Sequence, residues 1–354
     1  MTQTWDQEGF RTRVQGALEA FLDSQAALLE PLGPDAARLL AEARTSVAGG
    51  KMFRASFCWW GHRAVAVPVD EDAVVRACAA LELLHASALV HDDYMDASDS
   101  RRGRPSTHRT FEREHREAGW RGDPEQYGAS AAILLGDLLL TWSDVLLRRC
   151  GLPLAVVAPA HEVLDLCRTE VIAGQFLDVS AQARGRADVD TAMTVLRYKS
   201  AKYSIERPLH LGAALAGAGP GTLAELTAFG LPLGEAFQLR DDLLGVFGDP
   251  ATTGKPAGDD LVEGKRTVLV ALALDSAAPE DAALLDRSLG TSLSPSEVER
   301  LRQVIDASGA RGQVETVIDQ LTERAVTMLD RAAIDEEARE VLRSLASAVT
   351  DRVL

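Results

Sequence analysis

Two short acidic runs close apolar stretches of the chain, and carboxylates so placed could hold a divalent cation. In CAALELLHASALVHDDYMD, from Cys78 to Asp96, the aspartates Asp92, Asp93 and Asp96 end a stripe of helical period. Asp92 and Asp96 share a helix face at i and i+4. Like charges there destabilise an isolated helix by roughly 0.2–0.5 kcal/mol and also oppose the C-terminal end of its dipole, so a cation is needed to offset them. Hard oxygen ligands on one face suit Mg²⁺, which takes one or two protein carboxylates and completes its shell with water and phosphate oxygens. The second run, FQLRDDLLGVFGDPATTGKPAGDDLVEGKRT from Phe237, ends an apolar helix in Asp241 and Asp242 and continues into a Gly/Pro-rich loop.

Basic residues accompany both runs. Asp99-Ser100-Arg101-Arg102-Gly103-Arg104-Pro105 is a basic turn directly after the first. Arginines beside metal-binding carboxylates make sense if phosphate lies between them, because each guanidinium donates two parallel hydrogen bonds to phosphate oxygens. Lys255 and Lys265 flank the loop after the second run. Lys51 and Arg54 sit at i and i+3 of a helix start behind Gly49-Gly50, and His85 lies about two turns before Asp92. Taken singly, each feature has a plainer reading: a solvated acidic helix end, an Arg–Asp pair, a core histidine. Taken together, two carboxylate clusters can pinch one polyvalent anion through shared metal ions while the lysines neutralise the remainder.

The elements that must position these groups are helices. Apolar residues recur at three and four positions, as in Leu18, Phe21, Leu22 and Leu39, Leu40, Ala43, and sustained period-two alternation is missing. Gly/Pro clusters break the pattern at Pro31–Pro34, Gly49–Gly50, Gly103–Pro105, Gly119–Pro124, Gly151–Pro153, Gly217–Gly221 and Gly248–Gly258. Segments between breaks are long, and long helices bury their stripes by packing side by side, so the expected fold is all-α, a helical bundle. With no composition shift to mark a linker, one domain over 1–354 is expected, its C-terminal helices from about 280 lacking any chemical signal. A net charge of −16, from 37 basic and 53 acidic residues, excludes a broad attraction to nucleic acid or anionic lipid. Cys58, Cys78, Cys150 and Cys167 form no Cys-x-x-Cys pair and read as reduced, buried thiols of a cytoplasmic protein. No signal-peptide core is present at Met1 to Phe10, and no membrane span is expected, because Gly136 and Asp137 interrupt the most apolar stretch, Ala131 to Leu140.

In chain order, these pieces resemble the trans-isoprenyl diphosphate synthases, or polyprenyl synthetases, over roughly residues 45 to 270. The resemblance is carried by Gly50-Lys51-x-x-Arg54, Leu84-His85-x-x-x-Leu89-x-His91-Asp92-Asp93-x-x-Asp96, Arg101-Arg102-Gly103-x-Pro105, Gly174-Gln175-x-x-Asp178, Lys199-Ser200, Phe237-Gln238-x-x-Asp241-Asp242 and Gly254-Lys255. It implies an isoprenoid-synthase bundle with a central cavity and a homodimer. Asp92, Asp96 and Asp241 would hold Mg²⁺, three ions with substrate bound, with Asp93, Asp242, Gln175 and Asp178 in or near that shell. Arg101, Lys199, Lys255 and Lys265 would grip an allylic diphosphate. Lys51, Arg54, His85 and Arg102 would hold isopentenyl diphosphate, and Gln238 with Lys199-Ser200 would face the developing carbocation. Two departures stand out: Gly245 replaces a frequent third aspartate of the second motif, and Met52 replaces a common arginine.

The small residues Ser87 and Ala88, one turn before Asp92, with Leu84 below them, would leave room for a growing tail. The expected product is therefore geranylgeranyl diphosphate, made from dimethylallyl, geranyl or farnesyl primers, with farnesyl or longer polyprenyl diphosphates as the alternatives. A class I terpene cyclase lacks the pattern's isopentenyl-binding residues Lys51, Arg54 and Arg102. A non-catalytic partner subunit would not need an intact DDYMD.

Overall fold

Helices form wherever the three- and four-residue spacing places them in the computed structural model, which describes residues 5–185, 188–249 and 258–351. Their residues gather into two compact units, Met1–Glu162 with Leu211–Gly217, and Val163–His210 with Ala218–Leu354. Apart from one two-stranded hairpin, no strand occurs among the described residues.

The first unit contains α1 (Gln7–Leu29), α2 (Pro34–Val47), α3 (Phe53–Arg63), α4 (Glu71–Met95), the strands β1 (Ser100–Arg101) and β2 (Arg104–Pro105), α5 (Thr107–Ala118) and α6 (Pro124–Arg148). α4 is its centre and packs on α1, α2, α3, α5 and α6. Asp70 caps it by accepting from the Ala73 N–H at 2.9 Å, with Glu71 and Asp72 favourably placed in the first turn. Beyond that turn α4 is apolar on nearly all sides, as a fully enclosed helix must be, with Ala77, Cys78, Leu81, Leu83 and Leu84 buried. Its last turns open again: His85, Ala88, Leu89 and Asp92, at i, i+3, i+4 and i+7, remain half-buried. The opposite side is fixed to α6, where the Ser87 hydroxyl donates to the Gly136 carbonyl at 2.7 Å and His91 Nε2 meets the Ile133 carbonyl at 3.2 Å.

Gly119, at φ 64°, ends α5, and the turn that follows is pinned in place. Arg38 of α2 lies 4.8 Å over the Trp120 ring, Trp120 meets Tyr127 edge-on at 5.4 Å, and His115 Nε2 lies 3.1 Å from the Arg121 carbonyl. α4 and α6 are both long and apolar enough to cross a membrane by length and composition, because Gly136 and Asp137 interrupt a run without lowering its mean hydropathy enough. For α4 the explanation is burial, 72% of that window lying inside the protein, whereas α6 is 44% buried and exposes Ile133 and Leu134.

The second unit begins within α7 (Leu154–Arg184). It continues through α8 (Val189–Val195), a π-helix (Leu196–Glu206), the start of α9 (Arg207–Leu215), α10 (Pro220–Phe247), α11 (Asp259–Glu263), α12 (Val268–Ser276), α13 (Pro279–Ser288), α14 (Pro295–Ala307), α15 (Ala310–Arg331) and α16 (Glu336–Thr350). α10 packs on the π-helix and α15, and its Leu239, Leu243 and Val246 join Leu261, Leu269, Val304 and Val314 in one buried core. The C-terminal helices thus complete the apolar cover of the helix that carries the second acidic run. Gly174 of α7 and Gly234 of α10 let the π-helix approach closely, since a Cβ at either would collide with the backbone of Lys199 or Ala201. Glu170 clamps the same segment, accepting from Lys202 Nζ at 2.6 Å and from Arg207 Nε and Nη2 at 2.7 and 2.9 Å.

Next to that clamp, His210 is buried between Arg207 Nη1 at 3.0 Å and the Leu223 carbonyl at 3.1 Å. With Arg207 donating to Nδ1, the ring is neutral and carries its proton on Nε2. Burial and then the Arg207 charge bring its pKa down from 6.5 to about 4. The unfolded chain therefore binds a proton that the folded chain refuses. This contribution to stability is complete above pH 6.5 and is lost as pH falls through the folded value near 4. The loss is expected to reach roughly 3 kcal/mol at its limit. Chemical denaturation of wild type and His210→Gln between pH 7 and 4 checks this, the variant losing less stability over that window.

Candidate active site

In the first unit, the end of α4 separates its neighbouring aspartates. Successive residues of a helix diverge by about 100°, so Asp92 and Asp93 point to different surroundings. Asp93 is buried and accepts from Arg101, with Nε at 2.7 Å and Nη2 at 2.5 Å. Asp92 stays half-buried, 3.8 Å from the same guanidinium, and Asp96 closes the helix through its N–H to the Asp92 carbonyl at 2.8 Å. The pairing of Arg101 with Asp93 holds the arginine beside Asp92 rather than removing it from the site.

Arg101 and its neighbours are positioned by the hairpin. Ser100 pairs with Pro105 and Arg101 with Arg104, leaving Arg102-Gly103 as a two-residue turn with φ 52° and 73°. Positive φ at both positions is the I′ geometry that matches the twist of paired strands, and at a non-glycine residue it costs energy. The cost is met by fixing Arg102, whose Nη1 donates to the Ala48 carbonyl at 3.1 Å, just before the Gly49–Gly50 break. Past that break Met52, in the left-handed region at φ 48°, starts α3 and buries its side chain, which accounts for an apolar residue where an arginine was expected. Lys51 is exposed, with its ammonium 5.8 Å over the Phe53 ring.

Glu82 is the residue that sequence reasoning missed in this half. It is buried on α4 one turn before His85 and accepts from the Ala55 N–H at 3.1 Å, tying the start of α3 to α4. Burial raises its pKa against the opposing pull of Arg54. The available signal was a lone acid within an apolar stripe. Burial also lowers the Arg102 pKa, as does Arg101, Glu82 opposing them and Arg104 and Arg54 adding to the repulsion. His85 is held well below the ordinary histidine range by burial, then by Arg54, Arg102 and Arg101. Several cations crowded around a neutral imidazole form an electropositive patch suited to a phosphate-bearing ligand.

In the second unit the π-helix presents Lys199 to α7, where its Nζ lies 2.6 Å from Asp178 Oδ2. Gln175, one turn earlier, and Ser200 are half-buried. On α10 the paired aspartates again diverge. Asp242 is buried, accepts from Gln238 Nε2 at 2.8 Å, and has a pKa raised to about 8, chiefly by burial and then by the nearby Asp260 charge. Asp241 stays half-buried. Lys265 Nζ pairs with Glu263 at 2.5 Å and with Asp260 at 3.4 Å, and its charge partly offsets the rise at Asp242. Lys255, named from the sequence, lies outside the described residues.

The donor set fits Mg²⁺. In the first unit Asp92 is half-buried 3.8 Å from the Arg101 guanidinium, and in the second Asp241 is half-buried next to Asp242. Carboxylate oxygens are the hard donors Mg²⁺ takes, one or two at a time, with water and phosphate oxygens completing its shell; no group of three His, Cys, Asp or Glu side chains placed to hold a metal ion occurs among the described residues.

The polyprenyl synthetase family model matches residues 37–307, which includes every acidic and basic group described above. The chain belongs to the polyprenyl synthetase family. It is 32% identical to geranylfarnesyl diphosphate synthase of Aeropyrum pernix over 86% of this chain and 91% of that protein. It is 34% identical to geranylgeranyl diphosphate synthase of Mycobacterium tuberculosis over 82% and 78%. The crystal structure of geranylgeranyl pyrophosphate synthase from Corynebacterium glutamicum, complexed with isoprenyl diphosphate and magnesium, superposes with TM-score 0.96 at 42% identity, covering 99% of this chain and 100% of that one. The protein is a trans-prenyltransferase of this family, whose members depend on Mg²⁺ in general.

One departure from the family pattern has a structural counterpart. The Asp260 carboxylate lies over Gly245, where any Cβ would collide with it, so an acid from α11 fills the space that a third motif aspartate would enter from α10. Sequence spacing pairs Gly245 with Asp241 and cannot show Asp260 arriving from the next element. Gly245→Asp is expected to lower stability by about 1–2 kcal/mol through overpacking and like-charge contact. Gly245→Asp with Asp260→Gly should recover most of that loss, and thermal denaturation of both variants is the measurement.

Proposed function

We propose that this prenyltransferase condenses isopentenyl diphosphate head-to-tail with an allylic diphosphate, within one catalytic domain, and that geranylgeranyl diphosphate is the main product. The observation carrying the reading is the half-buried face of α4, where Asp92 and Ala88 share a stripe with His85 beside the arginine cluster. Asp92, Asp96 and Asp241 are assigned to as many as three Mg²⁺ ions. Bound there, Mg²⁺ would draw charge from the diphosphate as the allylic C–O bond breaks. Arg101, Lys199 and Lys265 stabilise the same departing charge, while Lys51, Arg54, Arg102 and neutral His85 hold isopentenyl diphosphate with its double bond toward the reacting carbon. Gln238 and the Lys199-Ser200 segment border the cation. No protein base is assigned to the final proton loss, which falls to the released diphosphate. Buried cysteines without disulfides favour a cytoplasmic location. The exposed Ile133 and Leu134 of α6 favour a homodimer.

If Asp92 and Asp241 serve one diphosphate, their losses should not add. Asp92→Ala and Asp241→Ala are each expected to reduce kcat by at least about 100-fold and to raise the Mg²⁺ requirement, the double variant falling well short of the product of the two. Fully multiplicative losses in steady-state assays would separate the two groups functionally. For product length, Ser87 is committed to α6 through Gly136, so Ala88 is the residue assigned to the tail. Ala88→Phe is expected to shift the product from twenty towards fifteen carbons in chromatography of radiolabelled products, the ring occupying about one helical turn of the tail's path.

A further inference from the structure

The N-terminal end of α4 borders a cleft that the catalytic reading leaves unused. Its volume is about 420 Å³, within the range of small-molecule sites, and it opens between α1, the first turns of α4 and the end of α6. Ala17 and Phe21 from α1, Val75 from α4 and Leu146 from α6 line it with apolar surface, and Arg76 and Arg149 border it. In so acidic a chain an arginine ordinarily meets a carboxylate, and Arg13 at the same cleft does, pairing with Glu71 at 2.9 Å and Asp72 at 3.0 Å. Neither Arg76 nor Arg149 has such a partner among the described residues.

Arg76 is also built into place. Its Nε donates to the Cys150 carbonyl at 2.5 Å, and its guanidinium lies over Gly151, at φ 111°, where a side chain would collide with it. That contact engages one donor and leaves the others available. Two uncompensated guanidinium groups beside an apolar floor match an amphiphile with a multiply charged head. We propose that this cleft binds a short prenyl diphosphate at a second site, its diphosphate on Arg76 and Arg149 and its branched tail against Phe21, Val75 and Leu146. Arg76 precedes Asp92 by sixteen residues, about 24 Å along the helix, so the site is separate from the acidic end of α4. The proposal draws on the substrate chemistry proposed above but on none of the assignments at Asp92 or Asp241.

The test is calorimetric titration of the full-length protein with geranyl diphosphate in EDTA, which suppresses metal-dependent binding. Wild type and Lys51→Ala with Arg101→Ala are expected to bind alike. Arg149→Glu, at an exposed position, should bind at least about ten-fold more weakly with an unchanged melting temperature. Ala20→Trp, which fills the cleft, should also weaken binding. The proposal is overturned if geranyl diphosphate does not bind, if Arg149→Glu binds as wild type, or if the Lys51/Arg101 variant loses binding. Equal affinity for decanoate overturns the diphosphate head, and equal affinity for inorganic diphosphate overturns the tail.

Discussion

A carboxylate at the end of an apolar helix must be answered by a cation or withdrawn from charge, and both acidic runs obey that constraint in the same way. Of each adjacent pair, one aspartate turns inward: Asp93 to Arg101, and Asp242 to Gln238 with Asp260 near. The other, Asp92 or Asp241, keeps a half-buried position. Burial of the inward member favours its protonation or its fixing in an ion pair.

The basic side of the chemistry is arranged by backbone geometry as much as by charge. Arg102 sits in a left-handed turn that a non-glycine residue adopts only when its surroundings hold it, here through the Ala48 carbonyl. Its neighbours repel it, and buried Glu82 offsets them. An anion placed among these cations would offset their mutual repulsion. The π-helix serves Lys199 comparably. Its irregular turn is fixed by Gly174, Gly234 and the Glu170 clamp, and the lysine projects from a segment that ordinary helical spacing would not place there.

Most helices were legible because their breaks are chemical: Gly49–Gly50 falls between observed elements, and Gly119–Pro124 and Gly217–Gly221 each span a junction and run into the first turn of the next helix. The boundary near Gly185 was missed, since one glycine in an otherwise helical pattern is a weak signal. Ser87 and Ala88 looked equivalent in sequence, both being small and one turn before Asp92. Packing against Gly136 of α6 distinguishes them, and no local pattern reports which side of a wholly apolar helix meets a neighbour.

By itself, the sequence determined the helical class, the carboxylate pairs, the accompanying cations and the family, because these depend on residue type and on spacing within one turn or one loop. Only tertiary structure decided that Glu82 ties α3 to α4, that Asp260 occupies the space over Gly245, and that Arg76 rests on Gly151 beside an apolar cleft. Each of these is a contact between segments distant along the chain or divided by a loop. Periodicity along a single helix carries no information about what the next one brings.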